Sequence, residues 1–379
     1  MQEVEKYVRE IQQETSNDEL HWLILSIISP EFPQIIEALE ICSNLLLYNT
    51  PQHPDAAKHI ERGPSIKLPV SSTKLEALKG IIVRDGAYVT QLTVLLKERH
   101  FNRVLHRLNL SKPILLSQII TAKRSIDNAI DIINTSKTIL GVQHEEHENL
   151  HVSLIEQFNQ LLIEIQTAKN SLQLPTNPSL VFPVNVTPAD AFDPELTPDI
   201  AIDLYISQAE VCIDLKNLHR VQDKPWCEID ANSGKSYVDK IRDEMKLPTT
   251  TAHSSISTSS NSTPVPSQPL NIADIQHRLH QLSSSSSAPN DLAHPQPQTP
   301  SNLFNNMLNH LLIRPKFDPV DYITKCITYN DLVVMINKKI EVSSPDPVLV
   351  SAFTKLDSIE YLISNFLENI HKIMDASST

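Results

Sequence analysis

The residues best suited to chemistry in this sequence are His147-Glu148-Asn149-Leu150-His151. They match H-E-x-x-H, in which histidines at i and i+4 share a helix face and bind zinc while the Glu acts as general base. The flanking residues argue against that use. Glu145 and Glu146 make the approach strongly charged where zinc-protease helices are apolar and buried, and no downstream motif supplies a third ligand. His147, Glu148 and His151 are therefore read as a decoy: a solvated, acidic first turn of a helix, where negative charge suits the positive end of the dipole. A catalytic zinc site, or adventitious metal binding through His144, His147 and His151, is the alternative.

Gly234-Lys235-Ser236 has the ending of a phosphate-binding loop, but the first glycine of that motif would stand five residues earlier, where Ile229 is found. An exposed turn is expected there. No Gly-x-Ser-x-Gly elbow exists for a serine hydrolase. Trp226, beside Cys227 in KPWCEID, is read as packed on a sheet edge rather than as an interaction anchor. The expectation is a chain with no catalytic residues, no metal and no cofactor.

Composition points the same way. The chain has 379 residues, enough for two or three domains. Its 32 basic and 45 acidic side chains give a formal charge of −13 with no Lys/Arg-dense run, which argues against affinity built on phosphate neutralisation and so against nucleic acid as a partner. Only five glycines occur, so loops that cradle phosphates or dinucleotides are largely excluded. Cys42, Cys212, Cys227 and Cys326 lie far apart, as expected of reduced, cytosolic thiols. The first residues are charged and polar, and no stretch approaches 18 uninterrupted apolar residues, so a soluble intracellular protein that reaches membranes only through partners is expected.

These side chains must be carried by recognisable elements. From Ser16 to Leu47 apolar residues recur at three and four, interrupted by Pro30 and Pro33, which predicts two helices or one kinked helix. Residues 66–97 alternate instead, and Asp85-Gly86 between β-branched runs predicts a type I′ hairpin. Residues 111–140 return to helical spacing, with Ser111 as cap, Pro113 in the first turn and Leu115, Ile119, Ala122, Ile126, Ala129, Ile133 and Leu140 as stripe. A second helix runs from about Glu145 to Leu172, and the two are expected to form an antiparallel pair. Strand signals follow in LVFPVNV, IAIDLYIS and EVCIDLKNL, with a three-residue hairpin connection near Gln208, and again at 320–342. Residues 249–313, dominated by Ser, Thr, Pro, Gln and Asn, are read as a disordered insertion.

The last helix carries Leu349, Ala352, Leu356, Ile359, Ile363, Phe366, Ile370 and Ile373, spaced 3-4-3-4-3-4-3. Such a seam suits a helix buried in its own chain's bundle, the simpler reading, or an intermolecular zipper. The fold class expected is α+β: 16–50, 111–174 and 346–375 as an antiparallel bundle of chain-distant helices, with 64–108, 178–247 and 318–343 as an antiparallel β-sheet part interwoven with it.

Taken together, ELHWLI at 19–24, LEALKGIIVRDGAYVTQLTVLLKE at 75–98, LLSQIITAKRSIDNAIDII at 115–133 and PDIAIDLYISQAEVCIDLKNLHRV at 198–221 resemble the Rogdi leucine-zipper family, which includes a subunit of the fungal RAVE complex, the regulator of the ATPase of vacuolar and endosomal membranes. The best-matching positions are Trp22-Leu23, Lys79-Gly80, Gly86, Gln118, Ala129-Ile130, Tyr205-Ile206, Cys212 and Leu218-His219, and the tract 249–313 looks like a fungal-type insertion. The resemblance implies an elongated, non-catalytic α+β molecule that supports docking of the pump's soluble sector onto its membrane sector. It implies as partners a large WD-repeat subunit of the rabconnectin or DmX-like kind, a Skp-type adaptor and the soluble sector of the vacuolar ATPase, with peripheral recruitment to vacuolar and endosomal membranes. A coiled-coil trafficking or cytoskeletal adaptor and an H-E-x-x-H metalloprotease remain as alternatives, and the partner-binding surface is not legible.

Overall fold

The computed structural model describes residues 15–72, 77–102, 105–142, 150–184, 187–246 and 317–378, together with Tyr7 and Ile11. His147, Glu148 and the tract 249–313 lie outside these residues. The chain divides into two units, Met1–Lys216 with Lys339–Thr379, and Asn217–Lys338.

In the first unit helix α1 (Thr15–Tyr48) runs unbroken through Pro30 and Pro33 by changing pitch. A proline cannot donate to the carbonyl four residues back, so the ladder loosens to π-turns at Leu23–Ile28, tightens at Ser29–Glu31 and becomes regular from Phe32. By length and composition alone α1 could cross a membrane, yet Ile24, Ile28, Phe32, Ile35, Leu39 and Leu46 are buried in the core of this unit. Helices α2 (Ser117–Val142), α3 (Leu150–Gln173) and the last helix, here α6 (Pro347–Ser378), complete a ring in which α1 packs on α2, α2 on α3, α3 on α6 and α6 on α1. Phe158 of α3 stands at its centre, edge-on to Phe32 at 6.1 Å and 6.3 Å from Phe366.

The bundle shares its core with the inner face of an antiparallel sheet of β1 (Ile66–Ser71), β2 (Leu78–Asp85), β3 (Tyr88–Leu96), β4 (Arg107–Leu110), β5 (Ile114–Leu115) and β6 (Phe192–Asp193), in the order β1-β2-β3-β4-β6 with β5 on β3. A bulge on β3 opposite Val83/Arg84 inserts one residue, Thr90, so that Val89 and Leu92 both face inward. Four local expectations are corrected. The hairpin after β2 pairs Asp85 with Tyr88, so Gly86 and Ala87 are the central residues and only Gly86 has positive φ (57°). Helix α2 starts at Ser117, not near Ser111: Val89 and Tyr88 of β3 capture Ile114 and Leu115 in the ladder, leaving Leu115 44% exposed and Leu116 buried. LVFPVNV forms no strand among the described residues, because Pro183 has no N–H for a ladder and the Phe182 N–H goes to the Asp203 side chain instead. The strand pattern at 320–342 opens as a helix, described below.

The second sheet has the order β7 (Ile200–Ser207), β8 (Glu210–Arg220), β10 (Leu332–Pro345), β9 (Cys326–Tyr329). Its β7–β8 turn is two residues long rather than three: Gln208 and Ala209 both take positive φ, and their N–H groups donate to the Gln173 and Leu172 carbonyls at the end of α3, satisfying orphan acceptors there. Gln118 of α2 does the equivalent for the free edge of β7. Its Nε2 donates to the carbonyls of Ser171 and Ile206, and its Oε1 accepts from the Ile206 N–H at 2.7 Å.

The second unit has its own small core. Helices α4 (Tyr237–Lys246) and α5 (Pro319–Lys325) pack together, and Trp226 stacks on Tyr322 with ring centroids 4.7 Å apart and planes 6° from parallel. Trp226, 4% exposed, thus packs on a helix within a core that also contains Cys326 of the edge strand β9 and Val333 and Met335 of β10. Asn330 and Asp331 form the turn between β9 and β10, both at positive φ.

Candidate functional site

Alternation along β7, β8 and β10 puts Ile202, Leu204, Ile206, Val211, Ile213, Leu215, Ile340 and Val342 in the core of the first unit. The intervening positions are polar. There Lys216, almost fully buried, donates to Asp203 Oδ2 at 2.5 Å and Asp214 Oδ2 at 2.6 Å, and lies 5.4 Å from the centre of the Phe182 ring. Lys339 reaches Asp214 at 3.2 Å and Glu341 at 2.9 Å, and the Tyr205 hydroxyl donates to Glu341 at 3.1 Å. Burial pushes the Asp203 carboxyl above its ordinary range, partly offset by its bonds to Lys216 and the Phe182 N–H. The hydrogen bond to Lys339 draws Glu341 down. Desolvation moves the neighbouring Cys212 thiol up to about 12 and the Tyr205 hydroxyl up as well, so neither is a nucleophile at neutral pH. This layer is an ion-pair lattice that ties β7, β8 and β10 together, in which Asp203 Oδ1 and Asp214 Oδ1 are buried without a hydrogen-bond partner among the described residues.

A second polar cluster joins sheet to bundle. Arg84 and Asp346 are both fully buried. The Arg84 guanidinium donates to Asp346 Oδ2 (2.5 Å) and Oδ1 (3.1 Å), to Asn49 Oδ1 (3.1 Å) and to the Gly86 carbonyl (2.6 Å). Asp346 also caps α6, accepting the N–H groups of Val348 and Leu349. Asn49 ends α1 in the left-handed region (φ 57°), accepts the Gly86 N–H and donates to Pro64 and Asp85. One cluster therefore holds the end of α1, the β2–β3 hairpin and the start of α6, with its charges matched.

The seam residues Leu349, Ala352, Leu356, Ile359, Ile363, Phe366 and Ile370 are buried, and Ile373 packs against the same core. The seam faces α1 and α3 of its own unit, and Lys169 of α3 ties it from outside through Asp357 (2.6 Å) and Glu360 (2.5 Å). His151 belongs to α3, whereas His147 and Glu148 lie outside the described residues; among the described residues no group of three His, Cys, Asp or Glu is placed to hold a metal. Gly234 (φ 66°) and Lys235 form an exposed turn closed on Asp230, with Lys235 paired to Asp243 at 2.7 Å. Sequence reasoning missed the Arg84, Asp346 and Lys216 clusters. A charged residue within an otherwise apolar strand is their local sign, and of the charged partners only Asp214, two residues from Lys216, is near in sequence.

Comparison with known proteins covers nearly the whole chain. The family model described as Rogdi leucine zipper containing protein matches residues 19–371. A Saccharomyces cerevisiae protein, "Regulator of V-ATPase in vacuolar membrane protein 2", is 25% identical over 358 residues, which is 93% of this chain and 90% of that protein. The "Protein rogdi homolog" of Danio rerio is 19% identical over 206 residues, 54% of this chain and 68% of that one.

Proposed function

The chain belongs to the Rogdi leucine-zipper family, and on that footing we propose that it is a non-catalytic subunit of a RAVE-type complex that promotes assembly or reassembly of the vacuolar proton-pumping ATPase. The observation that carries this reading is the extent of the likeness to the yeast V-ATPase regulator, 93% of one chain on 90% of the other, which leaves no large part of either unmatched. The side-chain chemistry agrees: the buried carboxylates of both polar clusters are engaged by cations, and the thiols of Cys42, Cys212 and Cys326 are pushed up to about 12 by burial. Such a molecule works by binding without turnover. It positions a large WD-repeat partner, with a Skp-type adaptor, so that the soluble sector of the pump docks on the membrane sector. It is cytoplasmic and reaches vacuolar and endosomal membranes through these partners.

Affinity purification of the tagged chain from its native cytosol, with mass spectrometry and zinc analysis of one eluate, tests this. Recovery of a large WD-repeat protein and soluble pump subunits, unchanged by His147→Ala or Glu148→Ala, is the expected result. A solitary protein carrying zinc, inactivated by either change, would overturn it.

A further inference from the structure

The outward face of the first sheet is built differently from the rest of this acidic chain. The registers of β1, β2, β3 and β4 place its residues in three rows across the strands: Lys67-Val83-Gln91, Pro69-Ile81-Thr93-Asn109 and Ser71-Lys79-Leu95-Arg107. The middle row ends in the exposed Asp193 of β6, opposite Asn109, and no carboxylate stands in the other two, although the chain carries −13 overall. Ile81 and Leu95 are 51% and 45% exposed, diagonal neighbours on adjacent strands, and the exposed Pro69 beside Ile81 extends the apolar strip, whereas Val83 is buried. Cations flank it: Lys79 and Arg107 stand on either side of Leu95, and Lys67 stands beside Val83. Lys67, Lys79 and Arg107 are exposed. An apolar centre with a charged rim is the anatomy of a protein-binding patch.

We propose that this face docks an acidic, apolar-anchored helical segment of a partner protein, crossing the strands along the Lys79-Leu95-Arg107 row. Strands lie about 4.8 Å apart, so Lys79 and Arg107 are separated by about 10 Å across β3. Two acidic residues seven apart on a helix span about the same length, at 1.5 Å per residue. Apolar residues at the third and fourth positions between them then rest on Leu95 and Ile81 while the acids meet Lys79 and Arg107. An anionic membrane fits less well: its recognition draws on clusters of about four to eight Lys/Arg, whereas the three rows carry Lys67, Lys79 and Arg107.

The test places a photo-cross-linking amino acid at Thr93, exposed in the central row, in the full-length chain in its native cells, and maps the adduct by mass spectrometry. The expected adduct is one protein segment with acids flanking apolar residues. Lys79→Glu with Arg107→Glu, both at exposed positions, should lower its yield about ten-fold or more, since like charges across an interface repel, with thermal unfolding unchanged. Changing the two partner acids to Lys should restore it in that variant. An adduct on lipid, on a neutral or basic segment, or one indifferent to the charge reversal would overturn the proposal, as would no adduct. The proposal stands apart from the pump reading: an eluate without pump subunits refutes that reading while the adduct persists.

Discussion

Replacing Arg84 with Met keeps most of the apolar stem and removes the one cation facing Asp346. The carboxylate retains the N–H groups of Val348 and Leu349 but stays fully buried without a counter-charge. Breaking a buried pair from one side costs about 3–5 kcal/mol. That is a large part of the roughly 5–15 kcal/mol that holds a folded domain together. For a unit of this size each kcal/mol shifts Tm by about 2–4 °C, so Arg84→Met should lower the unfolding midpoint of the first unit by about 6–20 °C. Far-UV circular dichroism reads the midpoint, and hydrogen exchange at Val348 and Leu349 reports whether the start of α6 loosens first. The double variant with Asp346→Asn removes both charges and leaves a side-chain oxygen to cap the helix. It should recover most of the loss, the remainder being the Gly86 carbonyl left without its donor, about 1–3 kcal/mol. A single variant within about 1 kcal/mol of wild type, or a double variant as unstable as the single, would refute the assignment of this cluster as the join between sheet and bundle.

Gln118→Met preserves volume but strips the Ile206 N–H and the Ser171 and Ile206 carbonyls of their partner; a loss of about 1–3 kcal/mol for the N–H alone should appear in the urea midpoint, with faster exchange at Ile206. Asp203 binds its proton more tightly folded than unfolded, so its contribution is full below about pH 4 and is lost as pH rises through the raised folded value. The wild-type minus Asp203→Asn stability difference should therefore fall with rising pH in that window, and a flat or rising difference would contradict the burial argument. Ile363→Ala should cost about 2–5 kcal/mol without altering the sedimentation coefficient, because Ile363 is buried against its own chain; dissociation of a dimer would identify an intermolecular zipper instead.

What the sequence determined by itself is what repeats locally. The 3-4 spacing of α6 and the stripes of α2 and α3 were legible because a helix that buries one face must repeat its apolar residues at the helical period. The charged flank of H-E-x-x-H and the scarcity of glycine were equally local facts, and they bounded the chemistry. Hairpin signals were incomplete where glycine was absent: a hairpin was expected near Gln208, but the end of α3 holds Gln208 and Ala209 in a two-residue turn at positive φ, while Asn330 and Asp331 are residue types that tolerate that region. Ser111 and Pro113 looked like a helix start, yet the open edge of β3 took the next residues into its ladder. Arg84 and Asp346, 262 residues apart, become partners only when β2 and α6 meet, and the Lys79-Leu95-Arg107 row exists only once the strand register aligns it. Periodicity shows which face of an element is buried; which element covers it, and which charges then meet, depends on contacts between distant segments that only the folded chain brings together.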